Sequence, residues 1–274
     1  RFEHLIESDE GEPGQLISLV DNRGNDSRRA LVFIHGYNVS FAHAAARVAQ
    51  LAKDTGYKGN VFLFSWPSLG TWRAYGADLD QAEQSEPYLE SFLRMILNNR
   101  NVERLDVVAH SMGSQPTLRV LRLYSRVFEA RERPEGRRRR GWGQLGQVIF
   151  AAPDVGRELF REQVRAILPV AEQITLYGSP SDCAMQGWRW ARDGVRRAGD
   201  TAEGALVVDG VDTIEAPGSF AGNVLDSLKS MTWDRVSALL GIYCNHSYFA
   251  ERPGVLTDIR RLLAGGSNEE LRPE

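Results

Sequence analysis

Val107-Val108-Ala109-His110-Ser111-Met112-Gly113 is the stretch on which the reading of this chain turns. A short apolar run, Leu105 to Ala109, stops abruptly and passes into a helical pattern over Gln115 to Ala130. A buried strand that turns at once into a helix, with a Ser at the corner, is the setting of a nucleophile elbow. Such a corner needs small flanking residues, because larger side chains would collide with the neighbouring backbone. Ala109 and Gly113 fill those places, with Ala standing where the usual G-x-S-x-G spacing has its first Gly. Taken alone, the same letters also suit a Ser that opens an ordinary helix after a buried strand. The rest of the chain decides between them.

Upstream, Ala30-Leu31-Val32-Phe33-Ile34 ends in His35-Gly36-Tyr37-Asn38, and Val61-Phe62-Leu63-Phe64 ends in Ser65-Trp66-Pro67-Ser68. Downstream, Val148 to Ala152 ends in Pro153-Asp154, and Ile174 to Tyr177 ends in Gly178-Ser179-Pro180-Ser181-Asp182. These runs are continuously apolar rather than alternating, as strands buried on both faces of a parallel sheet must be. Helical patterns separate them: Phe41 to Thr55, with Ser40 as N-cap and Gly56 as stop, then Leu79 to Leu97, Gln115 to Ala130 and Arg157 to Leu168. Further helices are predicted over Ala184 to Arg197 and Val255 to Leu263, the last opened by Pro253, and a short one within Leu225 to Leu240. Leu16 to Val20 predicts an edge strand, and a sixth main strand falls at Ala205 to Val208 or Val211 to Ile214, with a hairpin through Asp209-Gly210. Strands alternating with helices in this way predict an α/β fold, a doubly wound, mostly parallel sheet with helices on both faces. A single domain over residues 1–274 accounts for the length, with an N-terminal arm (1–29), an exposed Arg-rich loop (131–143) and candidate cap segments (69–80 and 219–244).

The composition, 42% hydrophobic and 25% charged with a net charge of −3, is that of an ordinary globular protein. A pI near 6.0 offers no attraction to nucleic acid or an anionic membrane. No apolar stretch approaches a membrane span. The basic residues are nearly all Arg, with Lys at 53, 58 and 229 alone. The chain begins at Arg1 without an initiator Met, so a missing native N-terminus is expected.

Reactive groups in an open α/β sheet collect beyond the carboxyl ends of its strands, and His35 to Asn38, Ser111, Asp154 and Asp182 all fall there. A Ser nucleophile needs a base, a carboxylate to hold the base in one tautomer, and donors for the developing oxyanion. The base follows by elimination among five histidines. His4 lies in the arm, His43 on a helix before the Ser, and His35 and His110 in strand-end turns where shaping is the expected role. His246 alone follows Ser111, in the order Ser, acid, His, and it stands just before the last helix. For the acid, Asp182 after the second strand beyond the elbow, Asp154 after the first, and Asp212 near the sixth all remain open; the losers would be turn or capping carboxylates. The backbone N–H of Met112 is one expected oxyanion donor and that of Tyr37 the other. Asn38, Trp66, Tyr75 and Trp188 are candidate substrate contacts, with Trp190 a further aromatic on the same helix as Trp188 and simple packing the alternative for the aromatics. No metal is expected, because no His-x-x-x-His or comparable cluster occurs, and no cofactor is called for.

Taken together, Phe33-Ile34-His35-Gly36-Tyr37-Asn38, Phe64-Ser65-Trp66-Pro67-Ser68, Ala109-His110-Ser111-Met112-Gly113 and Ala151-Ala152-Pro153-Asp154 resemble the bacterial α/β hydrolases of the DUF900 family. Ser181-Asp182 and His246-Ser247-Tyr248 fit that family's carboxyl end, and the resemblance spans Leu31 to Leu263. It implies an α/β-hydrolase fold, Ser111, Asp182 and His246 as a triad by position, and esterase or lipase-like activity on a small-molecule or lipid ester. Arg131 to Gly143 stands as an insertion against that pattern. If Asp182 contacts His246, Cys183 and Cys244 become neighbours, and a disulfide between them is expected. Such a bridge would favour a periplasmic or secreted location. An acyltransferase with the same triad, and a non-catalytic binding protein on the same fold, are the competing expectations.

Overall fold

The continuously apolar runs lie side by side because each has two faces to bury, and only a sheet covered on both sides provides that. The computed structural model describes residues 4–6, 15–19, 26, 28–71, 74–129, 144–182, 184–185, 194–216 and 246–265. Its strands are β1 (His4–Ile6), β2 (Gln15–Leu19), β3 (Arg29–Ile34), β4 (Asn60–Ser65), β5 (Arg104–His110), β6 (Gln144–Ala151), β7 (Ala171–Gly178) and β8 (Val211–Glu215). They form one sheet in the order β1-β2-β4-β3-β5-β6-β7-β8. From β4 to β8 every pairing is parallel, while β1 and β2 add on antiparallel. The fold is therefore the doubly wound, mostly parallel sheet that the alternating pattern predicts.

The N-terminal arm is corrected in one respect. The strand expected at Leu16 to Val20 is present as β2, but β1 covers its outer side, so β2 is not the edge.

Helices flank both faces: α1 (Phe41–Thr55), α2 (Tyr75–Gln84), α3 (Glu86–Asn98), α4 (Ser114–Glu129), α5 (Arg157–Arg165), a short α6 (Tyr248–Glu251) and α7 (Pro253–Ala264). One core joins Val32, Ile34, Val107, Ala109, Val148 and Phe150 of the sheet to Leu89 and Leu93 of α3, Leu118 of α4 and Phe160 of α5. The other joins Leu31, Phe33, Val108, Ile149 and Tyr177 to α1, α6 and α7 through Val48, Leu51, Phe249, Ile259 and Leu262. Neighbouring strand residues thus serve opposite cores, which is why the runs show no polar alternation. Ser40 caps α1 by accepting the His43 N–H, and Gly56 ends it at φ 61°.

Two helices depart from expectation. The long helix predicted over Leu79 to Leu97 is two helices, broken at Ser85 (φ −81°, ψ −6°) with Pro87 in the first turn of α3. Pro87 has no N–H for the preceding turn, so a continuous helix would lose a bond and clash there. The helix predicted over Ala184 to Arg197 does not reach its expected end. Gly194 has φ 76°, and the chain beyond it is extended, with Arg157 N–H donating to Arg196 O and Ala198 N–H to Val155 O. The sixth strand lies at Val211–Glu215, preceded by a tight turn in which Val211 N–H donates to Val208 O. The Arg-rich loop at 131–143, the segment 219–244 and the short helix expected within Leu225 to Leu240 lie outside the described residues.

Register brings the chemistry together. Ile34 stands beside Phe64 on one side and Ala109 on the other, and His110 beside Ala151, which in turn pairs with Tyr177. The turns after β3, β4, β5, β6 and β7 consequently open at the same edge. The chain order reverses around β3: α1, which follows β3, covers one face, whereas α3 and α4, which follow its neighbours β4 and β5, cover the other, and ligand crevices in such sheets open at that point.

Candidate active site

Ser111 stands at the end of β5, 2% exposed, with φ 51° in the left-handed region that non-glycine residues rarely enter. Residues Ser111–Gly113 form one turn of 3₁₀ helix before α4 begins. The corner is locked against the turn after β3: a Cβ on Gly113 would lie 2.3 Å from His35 O, and one on Gly36 would lie 2.8 Å from the Ser111 Cβ. Both glycines are therefore required by close approach, and an ordinary helix start is excluded by the Ser111 dihedral. Ser111 O accepts the Asp154 N–H at 3.2 Å, which ties the elbow to the turn after β6.

His246 and Asp182 meet. The imidazole Nδ1 lies 2.8 Å from Asp182 Oδ2, with Asp182 fully buried and its Oδ1 accepting the Met185 N–H at 3.2 Å. Local packing explains the position of His246. Tyr248 and Phe249 are buried, Tyr248 donates its hydroxyl proton to Tyr177 O at 2.9 Å, and Phe249 lies against the rings of Phe33 and His110. These anchors draw the residue just before α6 over the strand ends. The His110 and His246 rings lie 4.8 Å apart, so His246 lies beside the end of β5, next to the residue that precedes Ser111. His246 Nε2 is buried with no hydrogen-bond partner among the described residues. Burial pulls the His246 pKa down, but the charge and hydrogen bond of Asp182, helped by the charge of Asp154, outweigh it and hold the pKa above 6.5.

The two strand-end histidines shape the site. His35 is buried and stacked on Trp66 at 4.9 Å; its Nδ1 lies 2.9 Å from Gly36 O and its Nε2 3.0 Å from Ser65 Oγ. Burial pushes its pKa to about 4, so it is neutral and clasps the ends of β3 and β4. His110 donates Nε2–H to the His246 carbonyl at 3.1 Å, and burial together with the neighbouring His246 keeps its pKa well below 6.5.

The remaining carboxylates have other partners. Asp154 is fully buried, paired with Arg197 at 3.1 Å and accepting the Tyr75 hydroxyl at 2.6 Å, while Gln115 Nε2–H donates to its carbonyl at 2.9 Å. Asp212 accepts from Gln173 Nε2 at 2.7 Å in β8. Trp66, a candidate substrate contact, is corrected: it is 1% exposed, with its indole N–H donated to His35 O at 2.8 Å, and so belongs to the core beneath the turn. Tyr75 is half-buried and stands edge-on to Tyr37, ring centres 5.4 Å apart. Tyr37 donates its hydroxyl proton to Thr71 O at 3.1 Å. Asn38 has φ 56° and directs its N–H at Asp78 Oδ2, 3.4 Å away. Met112 is buried beside Ser111. Trp188, Trp190, Cys183 and Cys244 lie outside the described residues. Arg197 and Asp78 escape sequence reasoning altogether, since neither sits in a motif and each gains its meaning from a partner distant in the chain. Among the described residues no cluster of His, Cys, Asp or Glu is arranged to hold a metal ion.

A mostly parallel, doubly wound sheet with a left-handed Ser at the corner between a central strand and its helix is the arrangement of the α/β-hydrolase fold. The chain belongs to the DUF900 family, described as "Alpha/beta hydrolase of unknown function", whose model matches residues 17–264. None of the curated proteins compared matches it. Among solved structures it is similar to one described as a predicted CIB-like hydrolase from Thermoplasma acidophilum (12% identity, 93% of each chain covered, TM-score 0.46). It is also similar to a dienelactone hydrolase from Anabaena variabilis (13% identity, 96% of this chain and 94% of that one, TM-score 0.47). A third is a zinc-bound cold-adapted esterase from an Arctic intertidal metagenomic library (14% identity, 91% and 92% covered, TM-score 0.46).

Proposed function

We propose that this protein is a serine hydrolase that cleaves carboxylic esters through an acyl-enzyme on Ser111. The observation that carries the reading is the 2.8 Å contact of His246 with the buried Asp182, with the His246 ring against His110, the neighbour of the strained Ser111. In this mechanism His246 Nε2 takes the Ser111 hydroxyl proton as Oγ bonds to the ester carbonyl carbon. Asp182 holds Nδ1–H and so leaves the lone pair on Nε2. The negative charge that develops on the carbonyl oxygen is met by the N–H groups of Met112 and Tyr37, each donor of this kind being worth about 3–4 kcal/mol in the transition state. Collapse breaks the ester C–O bond, and the leaving alcohol receives the proton from His246. Water, deprotonated by the same histidine, then releases the acid and restores Ser111.

Wild type and Ser111→Ala are compared with a fluorophosphonate probe and a series of p-nitrophenyl esters of rising chain length. Labelling and turnover are expected in the wild type and lost in the variant, with the chain-length profile reporting the depth of the acyl pocket. Labelling that survives Ser111→Ala would remove Ser111 from the role of nucleophile.

A further inference from the structure

In the turn that presents Tyr37, Asn38 holds a left-handed conformation that a non-glycine residue enters at a cost and keeps only where its surroundings impose it. Something outside the turn must therefore keep it in place. Asp78, in the first turn of α2, is fully buried with no positively charged partner among the described residues. Its carboxylate instead gathers donors from two loops. Oδ1 accepts the Leu69 N–H at 2.8 Å, and Oδ2 accepts the Ser68 hydroxyl at 2.6 Å and the Asn38 N–H at 3.4 Å. Ser68 Oγ extends the arrangement, accepting the Val39 N–H at 3.3 Å and the Gly70 N–H at 3.4 Å. One carboxylate and one hydroxyl thus lace the turn after β3 to the loop after β4.

A buried charge is tolerated only when its lone pairs are satisfied, and here the satisfying groups are backbone amides of the segment beside the elbow. Both sides of the bargain are met: the charge is solvated by the loops, and the loops are fixed by the charge. We infer that Asp78, with Ser68 as its relay, is the positioning residue of the oxyanion hole, fixing the 35–39 turn so that the Tyr37 N–H faces the carbonyl oxygen of the substrate. This rests on the acyl-enzyme reading of Ser111. Asp78 touches neither Ser111 nor His246 through any hydrogen bond in the site, so its effect is on geometry and not on the proton transfer.

The test uses Asp78→Asn, Asp78→Ala and Ser68→Ala in the full chain. Asn matches the carboxylate in shape, but one acceptor becomes an NH2 that faces the Asn38 N–H or the Leu69 N–H with a second donor. A displaced oxyanion donor lowers kcat by roughly 10- to 100-fold and leaves KM nearly unchanged, because the lost contact is made in the transition state. Asp78→Ala is expected to lose more and Ser68→Ala less, with the acid limb of the pH profile unmoved in all three. Amide hydrogen exchange of residues 38–39 and 68–70 reads the clamp without reference to catalysis: slow exchange in the wild type should become fast in Asp78→Asn. Unchanged exchange in these segments overturns the clamp, as does a kcat within twofold of wild type in folded Asp78→Asn. If Ser111→Ala leaves turnover intact, it is the acyl-enzyme reading that fails, and the exchange data still decide whether Asp78 holds the turn.

Discussion

At the scale of single residues, the protonation of His246 governs the proposed chemistry. The histidine acts as a base only when neutral, and Asp182 holds its pKa above 6.5. The wild-type kcat/KM should therefore rise with pH and reach half its plateau above pH 6.5. In Asp182→Asn the carboxylate's charge is gone while burial remains, so the limb should move to lower pH. The plateau should fall by about 10³- to 10⁴-fold, because the amide no longer selects the productive tautomer. A pH–rate profile of both proteins checks the sign, and an acid limb that stays in place would mean that His246 is not the titrating base. Asp154 occupies a different place from the one its position after β6 suggests: its carboxylate is committed to Arg197 and Tyr75, while its charge still reaches His246. Nothing in the chain order of the carboxylates distinguishes it from Asp182, since the difference lies in which of them has an arginine from a distant loop beside it.

At the scale of elements, two buried neutral histidines fix the ends of β3, β4 and β5. His35 clasps the ends of β3 and β4, and His110 links β5 to the carbonyl of His246. Both have folded-state pKa values below the ordinary 6.5, His35 at about 4. As pH falls below 6.5 the unfolded chain takes up protons that the folded chain refuses, so stability must decline with acidification. The slope approaches about 1.4 kcal/mol per pH unit for each histidine, and the loss through His35 is complete near pH 4. Urea unfolding at a series of pH values between 7 and 4 measures it, and His35→Gln, which keeps a donor and an acceptor, should flatten the dependence. A midpoint equally pH-sensitive in that variant would assign the loss to other groups. The helices teach a related lesson. Apolar periodicity runs through Leu79 to Leu97 without interruption, yet Pro87 divides it, because a missing N–H outweighs a continuous apolar stripe. Beyond Gly194 the predicted helix gives way to extended chain that pairs with the segment around Gly156, a tertiary contact that local propensity does not contain.

At the scale of the whole molecule, the other ends of the central strands are held by another buried carboxylate. Asp106 accepts from Arg29 Nη2, Arg104 Nε and the Tyr57 hydroxyl at 2.9 Å each, and from the Gln147 N–H at 2.8 Å. It joins β3, β5, β6 and the end of α1, and Arg29 passes the connection on to the Leu263 carbonyl of α7. Asp106→Ala would strand two guanidinium groups and a tyrosine hydroxyl at once, at a cost of about 3–5 kcal/mol. Chemical denaturation should show that loss, while turnover per folded molecule stays at the wild-type level because the turns of the proposed site lie at the other ends of the strands. A variant as stable as wild type would show that the hub is satisfied by other groups or by water.

The layout of the fold is legible in the letters alone: apolar runs of strand length alternating with amphipathic segments permit little except a parallel sheet with covered faces. The Ser111 corner is legible too, since only small residues fit beside it, and His246 is marked by chain order. Which carboxylate meets His246, which aromatic is buried beneath the site, and what holds the turn after β3 were decided by tertiary structure. Each of those depends on strand register and on partners tens of residues away, such as Arg197 for Asp154 and Ser68 and Asn38 for Asp78. Local sequence sets backbone preference and burial; the pairing of buried charges is settled only when the chain has closed around them.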